Sequence, residues 1–152
     1  NTRSLWEHLL QEISRTRRYR RTLSLMVLDC DDFKAINDRF GHLQGDRVLQ
    51  ALAEVIRASL RGTDSAYRYG GEEFVVLLPE TAARAAVQLA ERLRTAFAGL
   101  KLPLDGGQEV SATISIGVAE WLPDEDEQNL IRRADEAVYS AKHRGKNCVV
   151  LA

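Results

Sequence analysis

The fold is decided by residues 65–78, which read SAYRYGGEEFVVLL. Two extended runs flank Gly70 and Gly71, and such runs joined by a Gly-Gly turn predict a β-hairpin. Glycine at both positions removes the Cβ atoms, so a ligand could approach the backbone closely. Two adjacent acids, Glu72 and Glu73, follow at the tip of an apolar strand, which is unusual for a purely structural hairpin. The segment therefore predicts a hairpin that carries a functional site.

A second acidic cluster lies upstream, after the run LSLMVL at residues 23–28, which predicts a strand buried on both faces. Asp29 and Asp31 follow it and share one face of an extended chain, because side chains alternate with period two. Carboxylates at the end of a buried strand are costly unless a metal, a hydrogen-bond network or water compensates them. The residues alone leave two interpretations open: a metal site, or an N-cap cluster in which Asp31 or Asp32 opens the next helix.

The two acidic clusters would form one site if their strands are neighbours in the sheet. If the hairpin lies beside the first strand, Glu72 and Asp29 converge. Three carboxylates around one point repel each other unless divalent cations neutralise them. Oxygen ligands select Mg²⁺ or Mn²⁺ rather than zinc. Such a site is typical of two-metal phosphoryl or nucleotidyl transfer.

The remaining periodicities predict an α/β (α+β) fold, with helices packed on a sheet in the style of a split βαβ unit. Ser4 and Glu7 form a capping box for the first helix. Asp46 opens the long helix and Gly62 stops it, while Thr81 caps a later helix. The predicted helices cover residues 4–19, 33–40, 46–60, 81–98 and 128–144, and the predicted strands cover 23–28, 65–69, 74–78, 110–120 and 148–151. Residues 102–109 and 122–127 are expected to be solvent-exposed connections.

Composition bounds the class of protein. The 152 residues suit one domain, 1–152. No apolar run approaches the roughly 20 residues of a membrane span, and no signal-peptide pattern is present, so we expect no membrane contact. A net charge of −1 does not argue for a DNA or RNA partner. Cys30 and Cys148 lie in apolar runs, which favours free thiols and a cytoplasmic location.

Several basic and polar residues could complement the acids. Lys34, Lys142 and Lys146 are point charges suited to phosphates, although a lysine is usually a solvated surface residue. Asn37 and Asp46 could form a polar pocket that matches the N1–H and N2–H₂ edge of guanine. The physical pattern alone favours Asp46 as the N-cap of the long helix.

Taken together, the motifs resemble the GGDEF family, the diguanylate cyclases. Residues 68–74, RYGGEEF, are similar to the family signature in its GGEEF form. Residues 29–38, DCDDFKAIND, followed by Gly41-His42 and Gly45-Asp46, resemble the upstream motifs, and residues 134–147 resemble the closing motif. The match covers nearly the whole chain. It implies a nucleotidyl-cyclase or polymerase-palm-like fold, with a ferredoxin-like central sheet of about five strands that carries the signature hairpin.

The resemblance implies a role for each of the acids. Asp29 and Glu72, assisted by the backbone carbonyl of Cys30, would ligate Mg²⁺ (or Mn²⁺), with two ions per active site. Glu73 would be a further acid near the metals that helps to deprotonate the attacking 3′-hydroxyl.

The resemblance also implies how GTP is bound. Asn37 and Asp46 would recognise guanine, which reverses the helix-cap interpretation of Asp46. Gly70 and Gly71 would leave room for the α-phosphate and the ribose. The remaining phosphates would be held by Phe33 (through its backbone), Lys34, Lys142 and Lys146.

Family members condense two GTP molecules into cyclic di-GMP and release two pyrophosphates. One domain binds one GTP, so the resemblance implies a transient homodimer in which two domains face each other. It also implies product inhibition by cyclic di-GMP at Arg61 and Asp64, with Arg92 as a secondary arginine. The alternative for Arg61 and Asp64 is a weak surface ion pair. The same Arg-x-x-Asp tetrad recurs at Arg132 and Asp135, where we predict a structural role.

This chain departs from the family at two points. Lys146 stands where the family usually has arginine, so a bidentate phosphate contact would become a single one. Asn1-Thr2-Arg3 is similar to the start of the family's domain, so we expect a catalytic domain excised from a larger sensor protein, with membrane attachment of that protein left open.

An active diguanylate cyclase is the leading prediction. The alternative is a non-catalytic cyclic di-GMP or GTP-binding regulatory module, although degenerate members usually lose hairpin acids or glycines that this chain retains. A cyclase that uses ATP is disfavoured, because Asp46 would repel the N1 lone pair of adenine.

Overall fold

A central sheet flanked by helices forms the computed structural model, which describes residues 1–152. The helices are α1 (Thr2–Tyr19), α2 (Phe33–Phe40), α3 (His42–Ser59), α4 (Ala83–Ala98) and α5 (Glu127–His143). The strands are β1 (Leu23–Cys30), β2 (Ser65–Arg68), β3 (Glu73–Pro79), β4 (Leu102–Pro103), β5 (Glu109–Val110), β6 (Ile114–Glu120) and β7 (Val149–Leu151). The main sheet has five strands in the order β2-β3-β1-β6-β7. None of the helices has the length and apolar character needed to cross a bilayer.

Strand β1 occupies the middle of this sheet, antiparallel to both β3 and β6, whereas β6 and β7 are parallel. Its side chains alternate between two apolar cores: Met26 and Leu28 pack with residues of α3 and α4, and Leu25 and Val27 pack with residues of α1 and α5. All four side chains are fully buried. The prediction of a strand buried on both faces is therefore confirmed. Asp29 lies on the same face of β1 as Leu25 and Val27, the face that is covered by α5.

Three predicted helix starts are wrong. Helix α1 begins at Thr2, and the Asn1 side chain accepts a hydrogen bond from the Ser4 backbone N–H at 2.9 Å, so Ser4 and Glu7 form no capping box. Helix α3 begins at His42, which places Asp46 inside the helix rather than at its cap. The N-cap of α4 is Ala82 rather than Thr81.

The predicted ends and connections also need correction. Helix α3 ends at Ser59 with Leu60 as its C-cap, before Gly62 is reached. The strand predicted from residue 110 begins only at Ile114, and residues 102–110 form a two-stranded ribbon of β4 and β5. Asp105 in this ribbon accepts hydrogen bonds from Gln44 and Arg47 of α3. These contacts hold the ribbon against the domain.

The connection at residues 122–127 is anchored by a buried acid rather than being simply exposed. Glu125 is 6% exposed, and its carboxylate pairs with Arg133 at 2.9 Å. It also accepts hydrogen bonds from Leu122 N–H and the Asn129 amide. The connection therefore fixes the start of α5, the helix that supplies Lys142 and leads into the turn that carries Lys146.

Candidate active site

The hairpin acids and the first-strand acids meet at one end of the sheet. Strand β3 pairs with β1 so that Asp29 lies opposite Glu73, and the Cys30 N–H donates to the Glu72 carbonyl at 3.2 Å. Asp29 also lies opposite Ser115 of β6. The hairpin thus lies beside the first strand, but the residue opposite Asp29 is Glu73 rather than Glu72.

Lys142 of α5 lies between the two first-strand acids. Its ammonium is 2.8 Å from Asp29 Oδ1 and 2.7 Å from Asp31 Oδ1. One lysine can contact both carboxylates because they share a face of the extended chain. Burial alone would lower the pKa of Lys142, but hydrogen bonds to Asp29 and Asp31 raise it above its ordinary value. The lysine therefore carries a permanent positive charge among these acids.

Asp31 is the most completely bonded acid of the site. Its carboxylate is buried and accepts hydrogen bonds from Thr113 at 2.7 Å, Ser115 at 2.6 Å and the Asn147 N–H at 3.0 Å, besides Lys142. Burial would raise the pKa of Asp31, but these hydrogen bonds hold it below its ordinary value. Asp31 is therefore not a helix cap. Asp32 occupies the N-cap position of α2, in a left-handed conformation and without a side-chain capping bond.

The two hairpin glutamates are partly buried and lie near the negative charge of Asp29. Burial, and then the charge of Asp29, raise the pKa of both Glu72 and Glu73 above the ordinary glutamate value. Their oxygen donors suit a hard divalent cation. In the present arrangement no three acidic, histidine or cysteine side chains converge closely enough to hold a metal ion.

The Cys30 side chain cannot serve as a metal ligand here. Burial, and then the charge of Asp31, raise the pKa of its thiol to about 12. The side chain packs in the apolar core on the α3 side of β1. Only the backbone carbonyl of Cys30 remains a candidate donor at the acidic site.

Helix α2 begins beside the acids. Phe33 at its first position is buried, and Lys34 is exposed. Lys146, which follows α5, reaches the Asp32 carboxylate at 2.5 Å. The start of α2 and the end of α5 therefore bring Lys34, Lys142 and Lys146 to the same end of the sheet as Asp29.

One polar atom without a partner is buried where α2 packs against α3. Asn37 Oδ1 is buried and has no hydrogen-bond partner. Gly45 of α3 makes room for it, because a Cβ atom there would lie 1.8 Å from Asn37 Oδ1. Asp46, the next residue, is exposed. A buried acceptor without a donor indicates a place where a ligand N–H can bind.

The Gly-Gly turn is open on its outer side. A Cβ atom on Gly71 would meet nothing within 4 Å, and one on Gly70 would meet only the Glu73 side chain, its carboxylate at 2.9 Å. Neither glycine has a positive φ. Glycine is therefore not needed here for an unusual backbone conformation, and its effect is to leave the backbone uncovered. Arg68 holds the turn from below by donating hydrogen bonds to both glycine carbonyls.

The predicted inhibitory residues border one cavity. Arg61 binds both oxygens of Asp64 and also donates to the Pro79 carbonyl at 3.1 Å and to the Thr81 hydroxyl at 2.8 Å. A cavity of about 260 Å³ is lined by Arg61, Asp64 and Arg92. The Asp64 side chain is only 2% exposed, whereas that of Arg61 is 59% exposed. By contrast, Arg132 pairs with Glu136 on the surface of α5.

A family model described as Diguanylate cyclase, GGDEF domain, matches residues 1–148. This chain belongs to the GGDEF domain family. Diguanylate cyclase A of Treponema denticola is 42% identical over 149 residues, which are 97% of this chain and 40% of that protein. Diguanylate cyclase DgcP of Pseudomonas aeruginosa is 45% identical over 152 residues, 100% of this chain and 22% of that protein. The chain thus spans less than half the length of these curated relatives.

Solved GGDEF structures share the fold. The GGDEF domain of DgcB from Caulobacter crescentus, in complex with c-di-GMP, superposes with a TM-score of 0.97 at 33% identity, covering 99% of this chain and 90% of that one. The active GGEEF domain of a diguanylate cyclase from Vibrio cholerae superposes with a TM-score of 0.92 at 35% identity, covering 99% and 96%. These matches confirm the predicted family and its palm-like fold.

Sequence reasoning missed the residues that hold the GGDEF site together. Thr113, just before β6, and Ser115 on β6 both donate to Asp31, but nothing in the sequence links them to an acid more than 80 positions away. Arg68 lies within the signature, two residues before Gly70, and this position could have predicted that its side chain bonds the carbonyls of the turn. Asp135 of α5 lies close enough for its charge to raise the pKa of Glu73, after burial and Asp29.

Proposed function

We propose that this domain is a diguanylate cyclase, which condenses two GTP molecules into cyclic di-GMP with release of two pyrophosphates. The observation that carries the proposal is the strand register that sets Asp29 opposite Glu73 beneath an uncovered Gly-Gly turn. Carboxylates at one point, with free backbone beside them, suit nucleotidyl transfer to an α-phosphorus.

The acidic end of the sheet would hold two Mg²⁺ (or Mn²⁺) ions. Asp29, Glu72 and the Cys30 carbonyl are the oxygen donors we assign to them, with Glu73 as a further acid. Bound there, the cations supply charge stabilisation to the leaving pyrophosphate and activate the 3′-hydroxyl. Glu73, whose pKa is raised by burial and by Asp29, is well suited to accept the proton of that hydroxyl.

Acceptor groups of α2 and α3 would select guanine. Asn37 Oδ1 is a buried acceptor without a partner, and the Asp46 carboxylate is a second acceptor nearby in α3. Guanine offers N–H donors at N1 and N2, whereas adenine presents a lone pair at N1. Two acceptors therefore favour guanine over adenine.

The lysines would hold the phosphates. Lys34 lies in the first turn of α2, whose N-terminal amides, including that of Phe33, attract anions. Lys142 and Lys146 come from α5 and the turn after it. In the structure both are paired with aspartates, so we infer that they exchange these partners for phosphate oxygens when GTP binds.

One domain would bind one GTP, and the reaction would require a second copy of the domain facing it. The 3′-hydroxyl of one GTP then attacks the α-phosphorus of the other, in line with the departing pyrophosphate. Arg61, Asp64 and Arg92 would bind cyclic di-GMP and inhibit synthesis, since arginine forks suit phosphates and guanine edges. We place the domain in the cytoplasm, whose reducing conditions suit its two free thiols.

The test is product formation by the purified domain. The domain is incubated with GTP and Mg²⁺ over a range of protein concentrations, and the products are separated by chromatography. Cyclic di-GMP that rises more than linearly with protein concentration supports both the activity and the two-domain mechanism. Bound GTP without product at any concentration refutes the activity of this domain and favours the regulatory-module alternative.

A further inference from the structure

The turn after α5 is held in an unfavourable backbone conformation. Three consecutive residues have positive φ: 111° at Gly145, 66° at Lys146 and 47° at Asn147. Glycine adopts such angles freely and asparagine tolerates them, but lysine does not favour them. A strained turn of this kind persists only where surrounding contacts hold it in place. The turn carries Lys146, one of the lysines assigned to the phosphates.

Three contacts hold the turn at its ends. The Lys146 N–H donates to the Ala141 carbonyl at 3.0 Å, inside the last turn of α5. The Asn147 N–H donates to Asp31 Oδ2 at 3.0 Å. The Asn147 side-chain carbonyl accepts a hydrogen bond from Arg94 Nη1 of α4, also at 3.0 Å. The last contact is a side-chain clamp from a different helix.

Arg94 is itself well fixed for this role. Its side chain is 24% exposed. Its Nε and Nη2 donate to Glu91 Oε2, one turn earlier on α4, at 3.2 and 2.9 Å. The guanidinium is therefore oriented by Glu91 and presents its remaining nitrogen to Asn147. A planar, rigid fork of donors holds a partner more firmly than a flexible ammonium does.

We propose that Arg94 is a positioning residue for the nucleotide site. By holding Asn147, it fixes the turn that aims Lys146 at the phosphates. It also keeps the Asn147 N–H on Asp31, the carboxylate that binds Lys142 at 2.7 Å. Both α5-derived phosphate lysines thus depend on one network that ends at Arg94. Arg94 lies outside all the motifs that carry the family resemblance, and the inference rests on the proposed binding of GTP.

The first measurement is GTP affinity. Calorimetry with a 3′-deoxy analogue of GTP, which lacks the attacking hydroxyl and so binds without turnover, compares the wild type with Arg94→Ala. We expect the Kd for GTP to rise about fivefold to tenfold, less than for the loss of a direct charged hydrogen bond, because Arg94 does not itself touch GTP. In turnover assays KM should rise similarly while kcat changes by less than about twofold, because the chemistry-bearing acids are untouched. Arg94→Lys, which keeps a donor, should recover part of the loss.

Glu91→Ala removes the residue that orients Arg94 but leaves the bond to Asn147 available, so it should lose less GTP affinity than Arg94→Ala does. The matched control is Arg84→Ala, which removes an exposed arginine of the same helix and should bind GTP with wild-type affinity. If Arg84→Ala loses as much affinity as Arg94→Ala, the effect belongs to the charge of α4, and the proposal is overturned. Wild-type GTP affinity in Arg94→Ala overturns it as well.

A second readout does not depend on catalysis. Hydrogen exchange at the backbone amides of Lys146 and Asn147 should be about tenfold faster in Arg94→Ala than in the wild type, because the turn opens more often. Unchanged exchange at both amides contradicts the clamp. A wild-type domain that binds GTP but makes no cyclic di-GMP refutes the enzymatic function alone, while Kd and exchange still decide the role of Arg94. A domain that binds no GTP overturns both.

Discussion

Replacing Gly45 by alanine should impair guanine recognition while leaving the domain folded. Gly45 lies in α3 where it meets α2, and an added methyl would stand 1.8 Å from Asn37 Oδ1 and 3.1 Å from the Phe33 ring. Carbon and oxygen atoms pack at roughly 3.5 Å, so the Asn37 side chain must move by about 1.5–2 Å. The Phe33 ring is buried and offers little room. The methyl therefore displaces the one buried acceptor that has no partner.

The expected energies differ between stability and binding. Alanine gains about 1 kcal/mol over glycine inside a helix, and overpacking costs about 1–3 kcal/mol. The net loss of unfolding free energy should therefore be about 0–2 kcal/mol, which the domain can tolerate. A misplaced Asn37 leaves a guanine donor unpaired, at about 1–3 kcal/mol. That loss raises the Kd for GTP by roughly 5- to 150-fold.

The assay is a double-mutant cycle on GTP affinity, measured by calorimetry. It compares the wild type, Gly45→Ala, Asn37→Ala and the double variant, with thermal denaturation of each as the folding control. If the methyl acts through Asn37, the double variant should bind GTP no more weakly than Asn37→Ala alone. Wild-type GTP affinity in Gly45→Ala, or additive losses in the double variant, would refute the reasoning.

Other substitutions test the remaining parts of the site. Asp29→Asn should lower the rate of cyclic di-GMP synthesis by about 10²–10³-fold, because the cations lose a carboxylate; near-wild-type turnover would contradict the metal assignment. Asp31→Asn should lower the unfolding free energy in urea by about 2–4 kcal/mol near neutral pH. Burial would raise the pKa of Asp31, but hydrogen bonds hold it below the ordinary aspartate value in the folded state. The difference in unfolding free energy between the wild type and Asp31→Asn should therefore be fully present at any pH above the ordinary aspartate pKa and disappear as pH falls through the folded pKa. Equal stabilities of the two proteins at neutral pH would contradict this prediction. Arg61→Ala should weaken cyclic di-GMP binding by about tenfold or more and relieve product inhibition, whereas Arg132→Ala serves as the matched control; unchanged cyclic di-GMP affinity in the first variant would rule out the inhibitory site.

The sheet and its acidic end were predictable because both follow from local patterns. The apolar run of β1 and the Gly-Gly turn between β2 and β3 each identify an element without any distant information. The register of β3 against β1 places Asp29 opposite Glu73. The local patterns predict the two strands but not this register, and from them we expect Asp29 to converge with Glu72 instead.

The start of α4 was poorly predicted because its first N–H is capped by a tertiary contact. The first free N–H of α4, at Ala83, donates to Glu120 Oε1 of β6 at 2.7 Å, so Thr81 is not needed as a cap. The Thr81 hydroxyl instead donates to the Pro79 carbonyl and accepts from Arg61. A capping acceptor that lies 37 residues away cannot be predicted from the local sequence. The same holds for the Thr113 and Ser115 hydroxyls that hold Asp31.

The contrast between Asp29 and Asp31 explains how two equivalent positions on one strand acquire different roles. Both carboxylates face α5 and share Lys142, which is 2.8 Å from the first and 2.7 Å from the second. Asp31 is satisfied by three further donors and is almost fully buried, so it can anchor the lysine but has no capacity for a ligand. Asp29 is partly exposed and has Lys142 as its one charged partner. In the proposed mechanism Lys142 turns toward a phosphate when GTP binds, which would free Asp29 for a cation. Asp31 would still accept from the Asn147 N–H and so hold the strained turn beyond α5 in place.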